Sequence, residues 1–299
     1  MKLKIKNKNI LTLDELDSKE IEHLIDFGIE LKKEQKKGHD KPILQNKTLA
    51  MIFEKPSTRT RVSFEVGMLQ LGGHTITLSP ENLQMSRGET VSDTAKALSR
   101  YVDVIMARVF DHDILDELSE HASIPVINGL SNLYHPCQIL ADFMTIKEHK
   151  KNLKKIKIAW IGDGNNVCNS LILGCSKLKT KISVASPDGF EPSNVVVSTA
   201  KLHTDIEITK DPTKAVEDAD VVMTDTFVSI HNTDKDRLQK FLPKFQVNAA
   251  LMGKAKKDAI FLHCLPAKRD QEVTTDVIDG PQSVVCDEAE NRLHIQKAL

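Results

Sequence analysis

Short apolar runs alternate with helix-patterned stretches along most of the chain, and the alternation stops and restarts once. TLAMIF (48–53), HTITLS (74–79), VDVIMARV (102–109) and IPVIN (124–128) precede the break. IKIAWIG (156–162), KISVAS (181–186), DIEIT (205–209), DVVMTD (220–225), AIFLHC (259–264) and SVVC (283–286) follow it. Such runs, bounded by turn residues and separated by helical patterns, read as buried strands of parallel sheets. The break is KEHKKNLKKIK (147–157), a lysine-rich stretch that reads as a solvated linker. The fold expected is therefore α/β, with two domains, each a parallel sheet flanked by helices. A length of 299 residues suits two domains of about 150 residues each.

The helices have their own punctuation. Residues 13–37 form an amphipathic pattern that ends in a basic turn, Gly38 and Pro42. Residues 57–71 are predicted helical, closed by Gly72 and Gly73, with apolar stripes Val62, Val66, Leu69 and Phe64, Met68, Leu71. Two stripes imply burial on much of the helix surface. The final DEAENRLHIQKAL places acids in a first helical turn.

Composition excludes several classes. With 40% hydrophobic and 28% charged residues and a net charge of -1, no broad attraction to nucleic acid or to membranes is implied. No apolar run approaches the about 20 residues that span a bilayer. The N-terminus has lysines without an apolar segment or a cleavage site, so the expected location is the cytoplasm. The five cysteines, Cys137, Cys168, Cys175, Cys264 and Cys286, include no CxxC pair, which argues against disulfides and zinc ribbons.

Ligands of open parallel sheets bind beyond the carboxyl ends of strands. After the first strand comes EKPSTRTRVSF (54–64), with three hydroxyls and two arginines between Ser57 and Arg61. Ser57 suits a helix N-cap, and free N–H groups at a helix start attract anions. The segment lacks glycine and so is no nucleotide P-loop; a small phosphorylated molecule fits it better. Arg108 ends the VDVIMARV strand; by itself it reads equally as an arginine reaching solvent. In YHPCQ (134–138), His135 precedes Pro136, so His135 and Gln138 sit at N-cap and N3 of a helix. Alone, they read as caps. IGDGNNVCNS (161–170) offers Asn165 and Asn166 as amide ligands; its dinucleotide fingerprint is incomplete, with Val167 at the third glycine and no acid ending the next strand. TDTFVS puts Asp225 at a strand end, with Ser229 four residues on, and suits a substrate ammonium. HCLPAKR puts Cys264 at another strand end, where a nucleophile would need an activating base and a substrate contact would not.

Taken together and in order, STRTR, HPCQ and HCLP resemble the carbamoyltransferases. HPCQ, HCLP, the Asp225-x-x-x-Ser229 spacing and the ENR tail resemble the ornithine branch of the aspartate/ornithine carbamoyltransferase family, over nearly the whole chain. The resemblance implies a carbamoyl-phosphate domain at 1–134, an interdomain helix at 135–150, an ornithine domain at 151–286 and a C-terminal helix at 287–299 that packs back on the first domain. It implies that Ser57, Thr58, Arg59 and Thr60 hold phosphate, that Arg108 bridges phosphate and carbonyl oxygen, and that His135 and Gln138 hold the carboxamide. Gln84, in the polar loop SPENLQMSRGET (79–90), would reach a neighbouring subunit's site, as in a homotrimer. Asn166, Asp225, Ser229 and Ile230 would bind ornithine. Cys264 and Leu265 would lie near its side-chain amine and, with Arg292, complete the donor contacts at the reacting centre. The implied catalytic set is Arg59, Arg108, His135, Asp225, Cys264 and Arg292. The implied reaction yields citrulline and phosphate and needs no metal and no organic cofactor, with arginine biosynthesis favoured over arginine breakdown.

This sequence departs from the family pattern Ser-Met-Gly by reading Ser229-Ile230-His231; Ile230 keeps the apolar bulk. The competing readings are a carbamoyltransferase for putrescine or aspartate, a non-catalytic small-anion-binding relative, and an NAD-dependent oxidoreductase. The loop that carries Gln84 lacks the lysine of the aspartate branch.

Overall fold

A computed structural model describes residues 5–39, 41–228 and 236–299. The chain divides into two compact units: residues up to Ala141 together with Asn291–Leu299, and Asp142–Glu290. Helices Pro136–Lys150 and Val285–Ala298 each contribute residues to both.

The first unit holds β1 (Thr48–Phe53), β2 (His74–Leu78), β3 (Val104–Arg108) and β4 (Val126–Leu130), all parallel, in the order β2-β1-β3-β4. The run TLAMIF is apolar throughout because both its faces are covered. Leu49, Met51 and Phe53 pack with Phe64, Met106 and Cys137. Ala50 and Ile52 point the other way, into a cluster with Ile105, Ala107, Leu115 and Leu118. Each large side chain fully buried here contributes about 1.5–3 kcal/mol.

The second unit holds β5 (Lys157–Ile161), β6 (Lys181–Ala185), β7 (Ile206–Thr209), β8 (Val221–Thr224) and β9 (Ile260–His263), again parallel, in the order β7-β6-β5-β8-β9. Ala159, Ile161, Val222 and Phe261 lie in one core with Phe227, Phe241 and Phe245. Both sheets reverse their strand order once, between β1 and β3 and between β5 and β8. Those switch points open crevices at the strands' carboxyl ends.

Three expectations are corrected. SVVC forms no strand: Ser283 makes one bridge to Phe261, and Val285 already begins the last helix. The first helix starts at Ser18 instead of residue 13, because Asp17 and Glu20 form a reciprocal capping box there. Helix Thr58–Gln70 buries only the stripe Thr60, Phe64 and Gly67, while Val62 and Leu69 are exposed. One stripe suffices to cover the sheet, so the second stays outside. Among the described residues no helix is long and apolar enough to cross a membrane. Ser229, Ile230 and His231 lie outside the described residues.

Candidate active site

In the first unit the chain leaves β1 through Glu54, Lys55 and Pro56 and enters helix Thr58–Gln70. Ser57 occupies the N-cap in extended conformation, yet its hydroxyl makes no cap bond. Thr60 is fully buried one turn on. Its Oγ1 accepts from Arg292 Nη2 at 2.7 Å and from Arg108 Nη1 at 3.4 Å. Arg108 comes from the end of β3, in register with Phe53 of β1. Arg292 comes from helix Val285–Ala298, where Lys297 also ties to Gln70 at 2.9 Å. Thus one hydroxyl gathers two guanidinium groups beside a helix N-terminus, an arrangement that raises positive potential where an anion can be received.

Neighbouring residues extend this cationic pole. Lys55 Nζ lies 3.7 Å from the centroid of the Phe110 ring, and burial together with the Arg108 charge pushes its ammonium below the usual lysine range. His135 and Gln138 are buried at the start of helix Pro136–Lys150. Between them, Cys137 is pushed up to about 12 by burial, against the opposing charge of Arg292, so it stays a thiol. Arg61 turns to the surface, paired with Glu65 at 2.9 Å. Arg59 and Thr58 lie in the first turn of the same helix as Thr60, half-buried and exposed respectively. Gln84 is exposed in the short turn Gln84–Arg87.

In the second unit the crevice between β5 and β8 carries carboxylates. Asp225, directly after β8, is buried. Its Oδ1 accepts from Thr226 N at 2.7 Å and from the Cys264 thiol at 3.2 Å, and its Oδ2 accepts from Asn165 Nδ2 at 2.8 Å. Asn165 also caps helix Asn166–Leu178 through Oδ1. Its amide therefore serves the protein on both sides; Asn166 is buried at the first helical position. Burial and the charges of Asp225, Glu288 and Asp142 push the Cys264 thiol well up. A thiol that donates to a carboxylate is a contact group, not an activated nucleophile.

Leu265 takes a left-handed conformation, φ 56°, a strain of about 1–3 kcal/mol for a residue with a Cβ. Its N–H donates to His263 Nδ1 at 2.9 Å, and His263 Nε2 lies 3.2 Å from Glu272 Oε1 in full burial. Asp225, His263 and Cys264 offer ligand atoms within 4.8 Å of one another. Both imidazole nitrogens are already engaged, however, and Cys264 is held as a thiol, so this group does not fit a metal as it stands.

Sequence reasoning missed the pair Asp163 and Arg237. Arg237 Nη2 donates to Asp163 Oδ2 at 2.6 Å, and both are largely buried. Burial pushes Asp163 up to about 6 despite Arg237, and the Asp225 charge adds to the rise. The acid between two glycines after a strand was a visible signal for Asp163; its partner 74 residues on had none. The glycines themselves answer packing. A Cβ on Gly164 would lie 2.1 Å from Pro192 N, and one on Gly162 2.7 Å from Phe227 Cε1. Close approach of this chain's own backbone and rings, rather than of a pyrophosphate, requires them.

Known proteins resemble the chain over nearly its whole length. Residues 8–148 match "Aspartate/ornithine carbamoyltransferase, carbamoyl-P binding domain", and residues 154–299 match "Aspartate/ornithine carbamoyltransferase, Asp/Orn binding domain". The ornithine carbamoyltransferase of Cenarchaeum symbiosum is 60% identical over 298 residues, covering 99% of this chain and 98% of that protein. That of Bacillus subtilis is 53% identical over 299 residues, covering 98% and 92%. The structure of ornithine carbamoyltransferase from Pyrococcus furiosus superposes with a TM-score of 0.95 at 49% identity, covering 99% of this chain and 97% of that one. The chain belongs to the aspartate/ornithine carbamoyltransferase family.

Proposed function

We propose that this chain transfers the carbamoyl group of carbamoyl phosphate to the δ-amine of L-ornithine, yielding L-citrulline and phosphate. The observation that carries the reading is the convergence of Arg108 and Arg292 on Thr60 at a helix start, in a chain whose full-length relatives bear that activity's name. Ser57, Thr58, Arg59 and Thr60 hold the phosphate. Arg108 spans phosphate and carbonyl oxygen, His135 binds that oxygen and Gln138 the carboxamide nitrogen. Asp225 and Asn166 bind ornithine, with Ser229 and the backbone of Ile230. Cys264, Leu265 and Arg292 line the reacting centre.

The deprotonated δ-amine attacks the carbonyl carbon; a C–N bond forms, the bond from that carbon to the phosphate oxygen breaks, and the proton the nitrogen gives up leaves on the departing phosphate. Negative charge builds on the carbonyl oxygen and leaves with phosphate. Arg59, Arg108 and His135 act where that charge develops, and such preorganised donors are each worth about 3–4 kcal/mol.

Turnover with ornithine, putrescine and aspartate tests the reading. Citrulline from ornithine is the expected product. No citrulline with fresh carbamoyl phosphate would sink it, faster turnover of putrescine would reassign the acceptor, and phosphate binding without turnover would favour an anion-binding relative.

The same reading extends to assembly and role. The exposed Gln84, and the exposed Val62, Leu69 and Ile76, support a homotrimer in which Gln84 serves a neighbour's site. A single-chain mass in sedimentation would count against it. A cytoplasmic part in arginine biosynthesis is tested by rescue of an arginine auxotroph.

A further inference from the structure

Two loops of the first unit carry Arg108 and His135, and one imidazole joins them. β3 ends at Arg108 and runs on into helix His112–His121. β4 ends at Leu130 and runs through Ser131–Tyr134 to His135. The register between these strands shifts: Ala107 faces Asn128, but Arg108 faces Leu130. Gly129 is the residue skipped, and a Cβ there would lie 2.4 Å from Met106 Sδ. Past the bulge the loops run together, with Val109 N donating to Leu130 O at 3.0 Å and Asn132 N to Phe110 O at 2.9 Å.

His112 sits where they meet, buried. Its backbone N–H donates to Asn132 Oδ1 at 3.0 Å, and its Nδ1 lies 2.9 Å from Ser131 Oγ. Ser131 closes the turn before His135: its N–H donates to Tyr134 O at 2.9 Å, and its Oγ accepts from Tyr134 N at 3.2 Å. The Tyr134 ring meets the imidazole edge-on, with centroids 5.1 Å apart at 73°. The serine hydroxyl rotates, so the His112 bond holds in either tautomer.

We propose that His112 is a positioning residue for the carbamoyl donor, clamping the turn that ends in His135 to the segment that leaves Arg108. This rests on the reading that Arg108 and His135 hold carbamoyl phosphate. His112 itself touches Ser131, Asn132 and Tyr134, with its Nε2 3.9 Å from Asp116 Oδ1 on its own helix. Its value is geometric: small displacements of binding groups cost rate and affinity steeply.

Four variants test it: His112→Leu, His112→Asn, Ser131→Ala and His112→Leu with Ser131→Ala. Leucine fills the site without the bond, whereas asparagine offers a polar atom near the Nδ1 position. His112→Leu is expected to raise KM for carbamoyl phosphate about fivefold to tenfold, the scale of one buried hydrogen bond, with KM for ornithine unchanged. His112→Asn is expected to recover most of the loss, and the double variant to be no worse than His112→Leu alone. Wild-type KM for the donor in His112→Leu would overturn the proposal, as would equal rises in both KM values that asparagine fails to relieve. Should His112→Leu not fold, Ser131→Ala decides: a raised donor KM supports the clamp, and an unchanged one overturns it. A wild-type chain that makes no citrulline would refute the enzyme reading alone. The same variants would then be titrated with inorganic phosphate by calorimetry, with weaker binding in His112→Leu expected and equal binding overturning the clamp.

Discussion

At the switch point of the first sheet the candidate side chains are cationic: Arg108 and Arg292 on Thr60, with Lys55 close by. At that of the second sheet they are carboxylates held by neutral donors: Asp225 by Asn165 and Cys264, with Asp163 buried beside them. Both are parallel sheets whose order reverses once, so topology supplies the place twice. The side chains delivered there decide the chemistry, and the opposite signs suit an anionic donor in one unit and an ammonium-bearing acceptor in the other.

Breaking the cationic pole should have the largest effect. Arg59→Ala is expected to lower kcat about 10²–10³-fold or more with circular dichroism unchanged. Near-normal steady-state rates in that variant would remove Arg59 from the donor contacts. On the anionic side, Asp225→Asn keeps the shape and removes the charge. It is expected to raise KM for ornithine about tenfold to a hundredfold, since a buried charged hydrogen bond is lost. Cys264→Ser sharpens the comparison further. A hydroxyl still donates to Asp225, so a change of only a few-fold is expected; complete loss of turnover would instead restore Cys264 as a nucleophile.

The last effect concerns stability, not turnover. The folded pKa of Asp163, about 6, lies above the ordinary 3.8. An acid raised on folding stabilises the fold at pH below its unfolded pKa, and that contribution is lost as pH rises through the folded one. Relative to Asp163→Asn, the wild type is therefore expected to lose up to about 3 kcal/mol between about pH 4 and 6. Parallel urea-unfolding curves for the two proteins over that range would contradict the assignment.

The central strands were legible because both their faces are covered, which turns TLAMIF and IKIAWIG into continuous apolar runs. SVVC looked alike but follows the last strand of its sheet, where one bridge to Phe261 gives way to a helix. The stripe of Val62 and Leu69 misled for a related reason: apolar periodicity tells which residues share a face, not what covers that face. Around the site, strand-end residues such as Arg108 and Asp225 could be located from the sequence. Arg292, which meets Thr60 across 232 positions, was reached only through the family resemblance, and the pairing of Arg237 with Asp163 was not reached at all. Local pattern carries no information about which distant helix returns to a given strand end.

Calorimetric titration with inorganic phosphate of the wild type, Arg108→Gln and Asp225→Asn tests the division of charge most directly. The expected result is that Asp225→Asn binds phosphate as the wild type does while Arg108→Gln binds at least about tenfold more weakly, the loss of one charged hydrogen bond. Equal weakening in both variants, or undiminished binding in Arg108→Gln, would contradict the account.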